Sequence, residues 1–146
     1  LSRCKFKPNH ILNEEIKMAD SKKIKTEMAE VYVADGIFHI SMLKAKPTVA
    51  DYKAHLAEAK VEFGDIFPLP VILQMAKSAP PPSKEMLAFI GGEEMATIIS
   101  GLAIINDSML LRTAANLYFK VSSRRYPMQM FGNEKAARLW LRSLAK

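Results

Sequence analysis

The stretch "EMAEVYVADGIFHISMLKAKPTVADYKAHLAEAKVEFG", Glu27 to Gly64, changes its hydrophobic period once, and that change decides the fold. Up to Met42 the period is two: Val31 and Val33 flank Tyr32, and Phe38, Ile40 and Met42 alternate with His39 and Ser41. Asp35-Gly36 separates the two β-prone runs and supplies the positive φ angles of a tight hairpin turn. The reading is an antiparallel hairpin with one buried face. From Thr48 the period is helical. Thr48 stands as N-cap with Asp51 three residues on, a capping-box pattern. Val49, Tyr52, Leu56 and Ala59 or Phe63 share one helical face, and Gly64 ends the helix.

Further along, "LPVILQM" and "GLAIIN" are short continuous apolar runs, as expected of strands covered on both faces, and "PMQMF" reads as another strand. Ser83 is expected to cap a short helix, "KEMLAFI", that Gly91-Gly92 interrupts and "EEMATIIS" resumes. Asp107 or Ser108 caps a long helix. Asn133 caps the last one, "EKAARLWLRSLAK", with Ala137, Trp140, Leu141 and Leu144 facing inward. The predicted order is β-β-α-β-α-β-α-β-α. It implies an α/β fold in which an N-terminal β-hairpin joins a mixed sheet built from parallel βα units with right-handed crossovers.

Composition narrows the rest. The chain of 146 residues is nearly half apolar and one quarter charged, as a single globular domain requires. No apolar stretch approaches the ~20 residues of a membrane span. Cys4 is the one cysteine, which excludes an internal disulfide and a cysteine-based zinc cluster and fits a reducing, cytoplasmic setting. The N-terminus lacks the apolar core of a signal peptide. Because "MADSKKIK" from Met18 reads as a natural start, residues 1–17 are taken as an extension, and a single domain is expected over residues 24–146. The charge is uneven. From Ser108 onward, eight basic residues face Glu134 alone, so this last quarter carries +7 of the net +6 and the remainder carries −1. Such asymmetry favours an anionic contact.

The order of elements, with "VYVADGIFHI" early, "GLAIINDSMLLRTAANLYFKV" in the middle and "YPMQMFGNEKAARLWL" at the end, resembles the SpoIIAA-like branch of the STAS fold. In particular it is similar to small bacterial proteins of unassigned role in which a strand ending in Phe precedes a capping residue and Ala-x-x-Trp-Leu. The matching residues are Phe131, Asn133, Glu134, Ala137, Trp140 and Leu141. The resemblance implies a non-enzymatic binding module. In anti-sigma-factor antagonists of this fold, the serine at the start of the helix after the third strand is phosphorylated, which corresponds to Ser83. Pro82 and Lys84 flank that serine here, and Gln74 and Met75 stand where those antagonists carry an aspartate. Ser83 is accordingly read as an N-cap.

Catalytic signatures are missing. There is no P-loop, G-x-G-x-x-G, G-x-S-x-G or H-E-x-x-H, and His10, His39 and His55 are scattered. No metal site and no cofactor is expected. The topology offers a different site: helix N-termini gather at the carboxyl ends of parallel strands, and their free N–H groups favour an anion. That edge would collect Ser83, Ser108 and Asn133, with Lys84 and Arg112 adding charge.

The helix from Ser108 to Ser123 is apolar over most of its circumference, striped only by Arg112, Asn116 and Lys120. Packing on the sheet is expected to hide Leu110, Ala114, Leu117 and Val121, or the neighbouring register. Met109, Leu111, Tyr118 and Phe119 would then form a contact surface rimmed by Lys120, Arg124 and Arg125. The leading expectation is a homodimer through this helix. A second is binding of an acyl chain or an anionic lipid surface, as the likeness of the fold to CRAL-TRIO lipid-transfer domains suggests. A third, of another class, is a small enzyme with its site at the strands' carboxyl edge. Nucleic acid is not expected, since aromatics at helical spacing read as core.

Overall fold

The computed structural model describes residues 22–76 and 79–144; the expected N-terminal extension, residues 1–17, lies outside them. The strands are β1 (Lys23–Lys25), β2 (Ala29–Ala34), β3 (Ile37–Met42), β4 (Leu69–Gln74), β5 (Ile99–Ile105) and β6 (Met128–Phe131). The helices are α1 (Val49–Phe63), α2 (Lys84–Ile90), α3 (Glu93–Ala96), α4 (Met109–Val121) and α5 (Glu134–Leu144). One mixed sheet takes the strands in chain order, β1 to β6. The first three are antiparallel and the last four parallel.

Local chemistry accounts for most of the boundaries. Asp35 and Gly36 take φ of 56° and 75°, the left-handed pair that turns β2 into β3. Thr48 and Asp51 close the capping box at the start of α1. Ser83, Ser108 and Asn133 each accept a backbone N–H three residues on, from Met86, Leu111 and Ala136. Two elements depart from expectation. A short strand, β1, precedes the hairpin and pairs with β2. The helix expected to resume in "EEMATIIS" lasts only from Glu93 to Ala96, and β5 begins at Ile99. The β-branched Ile98 and Ile99, both buried, favour the extended backbone.

Because every parallel connection steps one strand in the same direction, a uniform crossover hand puts all of them on one face. The main core is built there, from α1 to α4 on the sheet. A single register row, Val33–Phe38–Val71–Leu102–Met128, crosses five strands beneath these helices. The opposite face is covered by α5, which sets Ala137 and Leu141 against Ile37, Ile72, Ala103 and Ile105. Gly101 allows the close approach: a Cβ there would meet Leu144 Cδ1 at 2.9 Å.

The edge strand β6 is closed by a side chain. Asn116 of α4 donates through Nδ2 to Met130 O at 3.1 Å and accepts the Met130 N–H through Oδ1 at 2.7 Å. An amide thus replaces one residue of a missing strand. Asn116→Leu leaves both backbone groups unpaired, and we expect it to cost about 1–3 kcal/mol in urea unfolding. An unchanged midpoint would show that these bonds carry no net stability.

A cavity at the carboxyl ends of the strands

The sheet's helical face is incompletely filled where β3, β4, β5 and β6 end. Met42, Leu73, Ile104 and Met130, each at or next to the end of its strand, form the floor of a cavity of about 440 Å³. Helix α1 contributes Tyr52, and α2 contributes Met86, Leu87 and Ile90. Leu111, Ala115 and Tyr118 of α4 form a further wall, and Pro80 to Pro82 line the cavity as well. These surfaces are apolar because they continue the main core. The volume lies within the range of about 300–1,000 Å³ typical of small-molecule sites.

Among the described residues, charge is confined to the lip. Lys44, Lys46 and Lys84 line the cavity and are exposed. Lys44 is paired with Asp51 at 2.9 Å. The Thr48 N–H bond, with help from Lys44, holds the Asp51 carboxyl below the usual carboxylate range. Lys46 and Lys84 form no ion pair with another described residue. Among the described residues no carboxylate, histidine or cysteine lines the cavity, and Ser83, the one serine among them that does, already accepts the Met86 N–H. Burial raises the Tyr52 phenol to about 12, so it stays protonated at neutral pH.

The anion site expected at the helix N-termini is divided among separate places. Ser83 and Lys84 reach the cavity, whereas Ser108, Arg112 and Asn133 do not. Asn133 begins α5 on the opposite face of the sheet. Arg112 donates through Nη1 to Asn106 O at 2.8 Å and packs over Gly132, so its guanidinium ties two loops together.

The contact face of α4 also needs correction. Phe119 is buried at 2 % exposure, and Leu111 and Tyr118 are half-buried in the cavity wall, so these three do not form an outer surface. Leu110, Leu117 and Val121, the first of the two registers expected against the sheet, stand 83 %, 61 % and 84 % exposed beside Met109, and the neighbouring register of Leu111, Ala115 and Tyr118 is turned inward. The cause is the polar stripe itself. Arg112 and Asn116 point inward because each satisfies backbone groups at the sheet edge, and this turns the apolar side of the helix outward. Lys120 is exposed, and Arg125 pairs with Glu93. Arg124 donates to the Phe119 and Ser122 carbonyls, capping the C-terminus of α4.

A second polar cluster lies on the α5 face. His39 stacks on Tyr32 with centroids 4.6 Å apart, and its Nε2 is 3.5 Å from Arg138 Nη2. Arg138 also binds Glu134 at 2.7 Å and Asp35 at 3.3 Å. Sequence placed His39 on the solvent phase of the hairpin, but it is buried at 4 % exposure. Only the Glu134–Arg138 spacing, one helical turn, signalled this cluster. His55 is buried in α1, and neither ring nitrogen has a hydrogen-bond partner among the described residues. Burial lowers the pKa of both histidines below the usual 6.5.

Neutral histidine is therefore favoured in the fold, and the unfolded chain binds more protons as the pH falls. Their contribution to stability is complete above about pH 6.5 and is lost progressively below it, toward the lowered folded values. We expect Tm to fall on acidification through this window, and His55→Leu to flatten the fall. A pH profile identical to that of the wild type would remove His55 from the account.

Among the described residues, no group of three His, Cys, Asp or Glu side chains is placed to hold a metal ion, and no helix is long and apolar enough to cross a membrane. No curated protein and no solved structure matches the chain. The family model of a domain of unknown function, DUF7793, matches residues 31–145. That span takes in the hairpin from Val31 on, the parallel strands and every helix around the cavity, and the chain belongs to this family.

Proposed function

We propose that the protein is a binding module for a single-chain amphiphile, with the apolar tail in the cavity and an anionic head at Lys46 and Lys84. The observation that carries this reading is the cavity's division: among the described residues, an apolar wall with no acid, and lysines only at the lip. Burying each methylene of a tail contributes about 0.8 kcal/mol, and the lysines favour a carboxylate or phosphate over a neutral end group. The reading is of binding rather than catalysis, since the lining offers no nucleophile beside a base. A STAS-like architecture belongs to the same proposal, and its support is the run of parallel βα units behind an antiparallel hairpin.

Titration with parinaric acid, a fluorescent fatty acid, tests the reading. Saturable binding at micromolar concentration is expected. Lys46→Glu combined with Lys84→Glu should weaken it about tenfold or more, in line with loss of two charge contacts of about 1 kcal/mol each, and should leave the methyl ester's affinity unchanged. Absence of saturable binding by the wild type would refute the proposal. Equal losses for acid and ester would refute the placing of the head group.

A further inference from the structure

Helix α4 has two apolar sides. Its inner side walls the cavity through Leu111, Ala115 and Tyr118. Its outer side presents Met109, Leu110, Leu117 and Val121, which are 72 %, 83 %, 61 % and 84 % exposed. At 100° per residue these four fall within about one third of the helix circumference. Four large apolar side chains so exposed on one face are more than scattered surface residues, and exposed Thr113 and Lys120 share their arc.

We propose that this outer face docks on an anionic phospholipid bilayer, with α4 lying in the plane of the interface. Charge identifies the occupant. Between Ser108 and Asn133 the chain has four basic residues and no acidic one, and of the four Arg125 is paired with Glu93. Lys120 stands within the same arc, about 20° from Met109. Arg112 and Arg124 are bonded to backbone carbonyls rather than to carboxylates, so their charge is not neutralised. An apolar helical face with basic residues beside it is the pattern of an interfacial helix. A second copy suits this face poorly. A two-fold contact through the stripe would bring together two copies of α4, which carries Arg112 and Lys120 and no acidic residue, and like charges across an interface are unfavourable. An anionic surface turns the same charge into attraction.

Docking would set α4, one wall of the cavity, between the cavity and the bilayer, and it does not depend on the proposed ligand.

The test is flotation of the full chain with vesicles of phosphatidylcholine alone, and of phosphatidylcholine mixed with phosphatidylglycerol. Binding to the anionic vesicles should exceed binding to the neutral ones about tenfold or more and decline with salt. The double variant Leu110→Glu, Leu117→Glu alters exposed positions outside the cavity lining. It should abolish flotation while keeping its circular dichroism, its Tm and its affinity for parinaric acid in solution. Wild-type protein that binds parinaric acid and does not float would overturn the docking surface and leave the ligand reading intact. Flotation without parinaric acid binding would do the reverse. A dimer detected by light scattering, and dissociated by the double variant, would assign the stripe to a second copy and overturn the proposal.

Discussion

Ala115→Trp should abolish binding of parinaric acid while leaving the protein folded. Ala115 lies midway along α4, half-buried, with its side chain in the cavity wall. An indole at this position enters space that is empty in the fold, so it escapes much of the ~1–3 kcal/mol that overpacking costs in a filled core. It also takes the volume that an alkyl tail needs. The two effects separate in a thermal melt. At a ligand concentration about one hundred times Kd, the wild type should gain ~2.7 kcal/mol from linkage, and the variant should gain none. A variant that melts near the wild-type temperature and still gains stability from the ligand would place the ligand elsewhere. A variant that fails to fold would instead show that the space is not free. Ala115→Leu then supplies the graded control, with reduced rather than abolished binding.

Local chemistry was legible in the sequence, and orientation was not. The Asp35-Gly36 turn and the caps at Thr48, Ser83, Ser108 and Asn133 depend on residues within three positions of one another. They were readable for that reason. The sheet's doubly covered centre was readable too, because β4 and β5 are continuous apolar runs. The rotation of α4 misled, since the rule that polar residues face solvent treats them only by their affinity for water. Arg112 and Asn116 are turned inward by backbone groups on the β5–α4 loop and on β6, and no property of α4 alone encodes that demand. His39 misled for a related reason: a strand alternation assigns it to the solvent side, but Tyr32 and Arg138 cover that side.

The candidate site was the least legible part. Ser83 and Lys84 were singled out by their place at a helix start, and they do reach the cavity. The cavity itself is a lack of atoms among α1, α2, α4 and the ends of four strands. Each lining residue looks like ordinary core in sequence, because Met86 or Leu111 carries the same local signal whether its neighbour is a side chain or empty space. What distinguishes the site is the sum of packing, and a periodicity cannot report it.

The largest loss of stability is expected from Phe38→Ala. Phe38 is fully buried and second in the row that crosses five strands. Its ring meets those of Phe63 and Phe67 edge-on, at 5.4 and 5.2 Å between centroids. It thereby fixes the end of α1 and the approach to β4 on the sheet. Truncation removes the ring's transfer energy and leaves a void that strands on both sides resist closing, at a cost of about 3–5 kcal/mol. Against a total of about 5–15 kcal/mol for a domain, that is enough to leave a substantial unfolded population in mild denaturant. Phe38→Leu keeps most of the volume and should cost under about 1.5 kcal/mol. Urea midpoints of the two variants test the ranking, and equal midpoints would mean that the ring is not the element holding α1. The same pair bears on function. Phe38 does not line the cavity, although the strand that carries it runs on to Met42, which does. Phe38→Leu should therefore lower stability and leave parinaric acid affinity intact, the inverse of Ala115→Trp. Core and cavity share one face of the sheet, yet different ends of its strands serve them.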